Sequence, residues 1–208
     1  MKKVITLIVV IFALNISAQS NYEKGMNKAF ELWSANKSTE AGQLFERISK
    51  AEKENWLPPF YAATIQILES FQIKEEAVLK AKLNKAQEFL DLATANSPNN
   101  PEILITQALL NVGYIAFDGQ KYGMSMSIKN TALYAKALKI APNNPRVILS
   151  KAENDIGTAR FFGQSTAPFC KDVKKAIALS KKEKITTKFY PTFLLKRAEE
   201  VLSKCEAK

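Results

Sequence analysis

One apolar spacing recurs along this 208-residue chain at a nearly fixed interval, and that repetition constrains the fold more than any other feature. It reads Ala41-x3-Phe45-x2-Ile48, then Ala86-x3-Leu90-x2-Ala93-x4-Pro98, then Asn130-x3-Tyr134-x2-Ala137-x4-Pro142, with a fainter copy at Phe169-x3-Val173-x2-Ala176. The starting points lie 45, 44 and 39 residues apart. Steps of four and three residues place these side chains on one face of a helix. A small residue in the stripe lets two helices approach, the larger one fills the gap beside it, and proline ends the helix because it cannot continue the hydrogen-bond ladder. Both central copies close in a Pro-Asn-Asn-Pro turn before a new apolar helix. One repeat is thus one helical hairpin, and hairpins that cannot bury their apolar faces alone must stack.

Strand-type alternation is nearly absent elsewhere. Tyr22, Met26, Ala29, Phe30 and Trp33 form one helical stripe, and Ala41, Leu44, Phe45 and Ile48 form the next. The pattern predicts helices at roughly 21–35, 39–53, 58–72, 75–96, 101–117, 125–141, 145–160, 168–181 and 190–205. Pro168 and Pro191 are expected in the first turns of the last two. The last helix should present Phe193, Leu194, Ala198, Val201 and Leu202 inward and Lys196, Arg197, Glu199 and Glu200 outward, as a terminal repeat must to stay soluble.

These motifs resemble the tetratricopeptide repeat family, whose second helix carries a small-aromatic-small-proline series at this spacing and whose next helix opens after an Asn-Pro turn. The resemblance covers most of residues 21–182. It implies an all-α fold over residues 19–208, a right-handed α-solenoid of about four helical hairpins plus a C-terminal capping helix. It also implies a concave surface lined by the first helix of each hairpin, with Glu102, Ile105, Leu109, Val112, Arg146, Leu149, Glu153 and Ile156 along the groove. The interval exceeds the family's 34 residues, so longer helices or loops must absorb the excess. Asn130 stands where a small residue is expected, and Lys181 stands where the fourth copy would carry proline.

Met1-Lys2-Lys3, an apolar run from Val4 to Leu14, and Asn15-Ile16-Ser17-Ala18 have the three-part layout of a secretory signal peptide, with cleavage expected after Ala18. The run is shorter than the roughly 20 residues of a membrane span. No cysteine follows it to carry a lipid, because the only two are Cys170 and Cys205. The reading is a periplasmic or secreted protein.

The chain holds no histidine, which removes Ser-His-Asp and Cys-His catalysis and His-ligated zinc. Two cysteines cannot complete a tetrahedral metal site, the carboxylates lie among lysines on polar helix faces, and no glycine series cradles a phosphate. No enzyme activity, cofactor or metal is expected. Trp33, Trp56, Phe60 and Tyr61 read as packing between the first two hairpins. Asp118–Gly123 and Phe161–Ser165 fall at turns, where their length either forms a contact surface or closes a wide bend.

Function is then expected at a surface: an exported, non-enzymatic module holding a peptide or protein partner on its concave face. The alternative is an envelope protein that binds an acidic polysaccharide or lipid head group through its basic half. The formal charge is +10, and residues 21–118 hold 10 cations and 13 anions while residues 119–208 hold 18 and 7. The charge should therefore divide in space, with a basic face at Lys171, Lys174, Lys175, Lys181, Lys182, Lys184 and Lys188. Export and the shortage of arginine argue against nucleic acid. If the last two helices are antiparallel around 182–189, Cys170 and Cys205 fall at the same end and a disulfide becomes feasible.

Overall fold

Two Pro-Asn turns set the rhythm of the chain. The side chains of Asn100 and Asn144 cap the helices that follow, accepting from the amides of Glu102 and Arg146 at 2.9 Å each, and a proline occupies the first turn of both. Such a cap satisfies an amide with no partner inside the helix. Asn99 takes the left-handed conformation, φ 59°, that lets the first turn reverse so tightly.

The computed structural model describes residues 21–206, so the expected signal peptide at 1–18 lies outside the described residues. Within them are nine helices and no strand: α1 (21–34), α2 (Ser38–Ala51), α3 (Leu57–Ser70), α4 (Glu76–Asn96), α5 (Pro101–Phe117), α6 (Gly119–Ile140), α7 (Pro145–Phe161), α8 (Ala167–Ser180) and α9 (Leu195–Glu206). The fold is all-α. Packing is sequential: α3 with α4, α5 with α6 and α7 with α8 form hairpins, α3, α5 and α7 meet along one side, and α9 lies on α7 and α8.

The excess interval resides in the second helices, 21 residues in α4 and 22 in α6 against 17 in α5 and α7. One apolar core runs without interruption from α1 to α5, through Met26, Phe45, Ile65, Leu79, Leu83, Leu90 and Leu110. Gly113 sits where α5 crosses α3 so closely that a Cβ would lie 3.0 Å from the Ser70 hydroxyl. Beyond α5 the core breaks into two smaller clusters, one around Tyr134, Ala137 and Val147 and one around Ile156, Val173, Ala198 and the cysteines.

Asn130 is fully buried and closes a polar ladder. It accepts from Asn111 Nδ2 at 2.8 Å and donates toward Asn154 Oδ1 at 3.4 Å, tying α5, α6 and α7 together. Buried amides in such a ladder fix one register of packing, because any slip leaves them unpaired.

Two boundaries differ from expectation. Helix α6 begins at Gly119 rather than 125, because Asp118 accepts from the Lys121 amide at 2.9 Å and Glu76 on α4 clamps the first turn through Lys121 Nζ (2.7 Å) and the Tyr122 hydroxyl (2.5 Å). Asp118–Gly123 is therefore mostly helix. At the other end α9 begins at Leu195, so Pro191 is not in a helical first turn and Leu194 faces solvent. Residues 181–194 instead form an irregular strap that reaches from α8 back to α1, α3, α5 and α7.

Candidate functional site

The strap decides what becomes of the expected concave face. Arg146 donates from Nε to Glu102 Oε1 at 2.9 Å and through both terminal nitrogens to Glu183 of the strap, at 2.7 Å each. Tyr190 lies 5.4 Å from the same guanidinium, packs against Trp56 with ring centroids 5.8 Å apart, and directs its hydroxyl to Glu102 at 3.4 Å. Phe189 meets the rings of Tyr22 and Phe30 and accepts on its carbonyl from the Tyr61 hydroxyl at 2.8 Å. Burial, with the Glu102 charge beside it, pushes the Tyr190 phenol up to about 12. Burial works against charge on Arg146, yet hydrogen bonds to Glu183 and Glu102 outweigh it and raise its pKa.

The eight residues expected along an open groove are thus largely covered. Glu102 and Arg146 are buried under the strap; Ile105 is core between α5 and α7; Leu149 and Ile156 belong to the cluster that α8 and α9 close; Leu109 packs on the first core; Val112 is half-buried; and Glu153 accepts from Arg197 of α9 at 2.7 Å. The physical reason is that a bare row of apolar side chains on the first helices is better covered by the chain's own C-terminal segment than by water. The family resemblance pointed to these eight positions, and the sequence carried no signal for the strap that covers Glu102 and Arg146.

The basic face is more local than expected. Lys171, Lys174, Lys175, Lys181 and Lys182 project from α8 and its end, all exposed, along steps of three, four and seven residues that keep them on one side. Lys184 is exposed on the strap. Lys188 departs from the group, because the strap carries it to α1, where it pairs with Glu23 at 2.6 Å. Lys174 pairs with Glu206 of α9 at 2.6 Å, beside the disulfide that joins Cys170 to Cys205.

A different surface stands out in the structure. Among the described residues the four most exposed large apolar side chains are Met124 (82%), Ile128 (67%), Phe162 (66%) and Phe161 (65%), from the first half of α6 and the end of α7. The Phe161 ring lies against Gly119, close enough that a Cβ there would touch it at 3.4 Å, and stands perpendicular to Phe162 with centroids 5.2 Å apart. A Cβ added to Gly123 or to Gly157 would meet nothing within 4 Å. Gly163, at φ +64°, makes the turn that leaves both Phe rings outside the core. The Gly119–Phe161 contact joins the two segments, Asp118–Gly123 and Phe161–Ser165, that the sequence left open between contact surface and wide bend. Met124 and Ile128 were not foreseen; their signal was a four-residue step on the side of α6 away from the Asn130–Tyr134–Ala137 stripe.

Among the described residues no group of His, Cys, Asp and Glu side chains could hold a metal ion, and no helix is long and apolar enough to cross a membrane. No protein-family model and no curated protein matches the chain. Among solved structures, the HusA haemophore from Porphyromonas gingivalis is similar, with a TM-score of 0.76, 20% identity, and coverage of 89% of this chain and 92% of that one. At that identity the likeness is one of fold.

Proposed function

We propose that this chain is an exported, non-enzymatic binding protein built of tetratricopeptide-like hairpins, and that it captures a flat, apolar, anionic ligand of haem's kind at the exposed aromatic pair that ends α7. The observation that carries the reading is that Met124, Ile128, Phe161 and Phe162, on α6 and at the end of α7, are the most exposed large apolar side chains among the described residues. Two adjacent aromatic rings left in water mark a candidate contact surface. Two mutually perpendicular rings offer a face and an edge for stacking, and the neighbouring Arg160, exposed while donating to the Lys204 carbonyl at 3.2 Å, offers a cation for a carboxylate of a bound ligand. The name of the similar solved structure, a haemophore, supports the choice of ligand class. The +11 excess of residues 119–208 favours the approach of an anion.

Titration of the mature chain with haemin, followed by absorbance and tryptophan quenching, tests it. Saturable binding in the micromolar range is expected, weakened at least ten-fold by the Phe161→Ala/Phe162→Ala pair with the helical spectrum unchanged. Absence of saturable binding, or a double variant that binds as wild type does, overturns it.

The lysine face of α8 favours a second reading, attachment to an anionic glycan or lipid surface. Lys→Glu reversal at 174, 175, 181 and 182 should then abolish salt-sensitive retention on heparin or anionic vesicles and leave haemin binding intact.

A further inference from the structure

Resting on the function proposed above, we infer that the Cys170–Cys205 disulfide controls the ligand affinity of the aromatic pair that ends α7, because the C-terminal end of α9 holds the turn that presents the pair. The last carbonyls of a helix have no partner within it. In α9 two of them are taken by side chains on either side of that turn. Arg160 Nη2 donates to the Lys204 carbonyl at 3.2 Å, and the Thr166 hydroxyl donates to the Cys205 carbonyl at 3.3 Å. Between these anchors the chain runs Phe161-Phe162-Gly163-Gln164-Ser165, every residue of it exposed. Its own closure is the left-handed ending of α7, in which the Gly163 amide donates to the Arg160 carbonyl at 3.1 Å and the Gln164 amide to the Ala159 carbonyl at 2.7 Å.

The anchors hold only while the end of α9 stays in place. Cys205 is the penultimate residue of α9, and its bond to Cys170 ties that last turn to the first turn of α8, with both sulphurs against the Thr166 carbonyl at 3.4 and 3.7 Å. The Lys174–Glu206 pair nearby is exposed and adds little. Without the covalent link the last turn frays as helix ends do, and Arg160 and Thr166 lose their acceptors together. Arginine carries five N–H donors, so the Lys204 carbonyl fixes the guanidinium and leaves donors for a ligand carboxylate. A fixed cation beside two fixed rings loses less freedom on binding than mobile groups do. The controlling event is reduction by a dithiol. One of its thiolates attacks a sulphur of the bond to form a mixed disulfide, and its second thiol resolves it, leaving the reductant as a disulfide and Cys170 and Cys205 as two thiols. Both cysteines are buried, so the exchange waits on opening of the helix end. The oxidised chain is the tight-binding form and the reduced chain the weak one.

Haemin is titrated into three forms of the mature chain: oxidised, reduced by dithiothreitol and freed of it by gel filtration, and carrying Cys170→Ser with Cys205→Ser. Hydrogen exchange at the Gly163 and Gln164 amides gives a second readout that needs no ligand. The reduced and serine forms should bind haemin about ten-fold more weakly than the oxidised form, the scale of an ordinary coupling between two sites, and exchange faster at both amides while α1 to α5 stay protected. With the disulfide intact, Thr166→Val should weaken binding about three-fold, the worth of one neutral hydrogen bond, and Thr166→Ser should restore it. Equal haemin affinity in the oxidised and reduced forms, or exchange at Gly163 and Gln164 that ignores the bond, overturns the inference; a Thr166→Val variant that binds as wild type does overturns the hydroxyl's part in it. If both amides respond to reduction but the oxidised chain binds no haemin, the proposed function falls and the coupling of the turn to the disulfide stands.

Discussion

The two halves of the molecule solve the same packing problem differently. From α1 to α5 one continuous core holds the helices, and a lattice of aromatic contacts joins Phe30, Trp33, Phe45 and Tyr61 with centroids 4.7–6.3 Å apart. From α6 to α9 the core is split, and polar and covalent devices take its place: the asparagine ladder, the Glu102–Arg146–Glu183 network and the disulfide. Apolar burial is non-directional and tolerates only a closed surface, whereas hydrogen bonds and a disulfide hold chosen points and leave the rest free. The second half can therefore keep Met124, Ile128, Phe161 and Phe162 in water, and a binding surface is more readily built there than on the first.

The contrast can be broken most severely from the first half. Phe45→Ala, at a site with no exposed surface, should cost about 3–5 kcal/mol and lower the thermal midpoint of the whole chain. Arg146→Ala should cost about 3–5 kcal/mol as well, because it leaves the Glu102 carboxylate buried without its charge partner. Recovery toward wild type in an Arg146→Leu/Glu102→Gln double variant would attribute that loss to the orphaned charge. Replacing Cys170 and Cys205 by serine opens a link between residues 35 apart, worth about 2–4 kcal/mol. Hydrogen exchange should place that loss in α8 and α9 and leave α1 to α5 protected; uniform loss would mean that the halves are not separable.

Alkaline pH sharpens the comparison at smaller scale. The Tyr190 phenol titrates at about 12 in the folded chain against an ordinary 10, so folding excludes the phenolate. The stability tied to this group is complete below pH 10 and disappears as pH rises toward 12. Tyr190→Phe should remove one late-titrating phenol from the ultraviolet titration and flatten the loss of stability between pH 10 and 12. Smallest in stability, within about 0.5 kcal/mol, should be Phe161→Ala with Phe162→Ala, since both rings are exposed. A large loss there would make the two rings structural.

Helix count, type and most boundaries were legible because they depend on local periodicity: Ala86, Leu90 and Ala93 announce α4 whatever lies beside it. The boundaries that moved are those set by a distant group. Glu76 on α4 decides that α6 starts at Gly119, and the strap's pairing with Arg146, Trp56 and Phe30 delays α9 to Leu195.

The sequence by itself determined an all-helical chain of hairpins and the small residues of the helix contacts. Only the tertiary structure decided that Glu102 and Arg146 are covered, that Lys188 sits on α1 rather than with the other lysines, and that Phe161 packs on Gly119. The reason is the range of the interactions. Helical periodicity is written within a few residues, whereas Tyr61 to Phe189 spans 128 residues and Lys188 to Glu23 spans 165, and no local pattern encodes a partner at that distance.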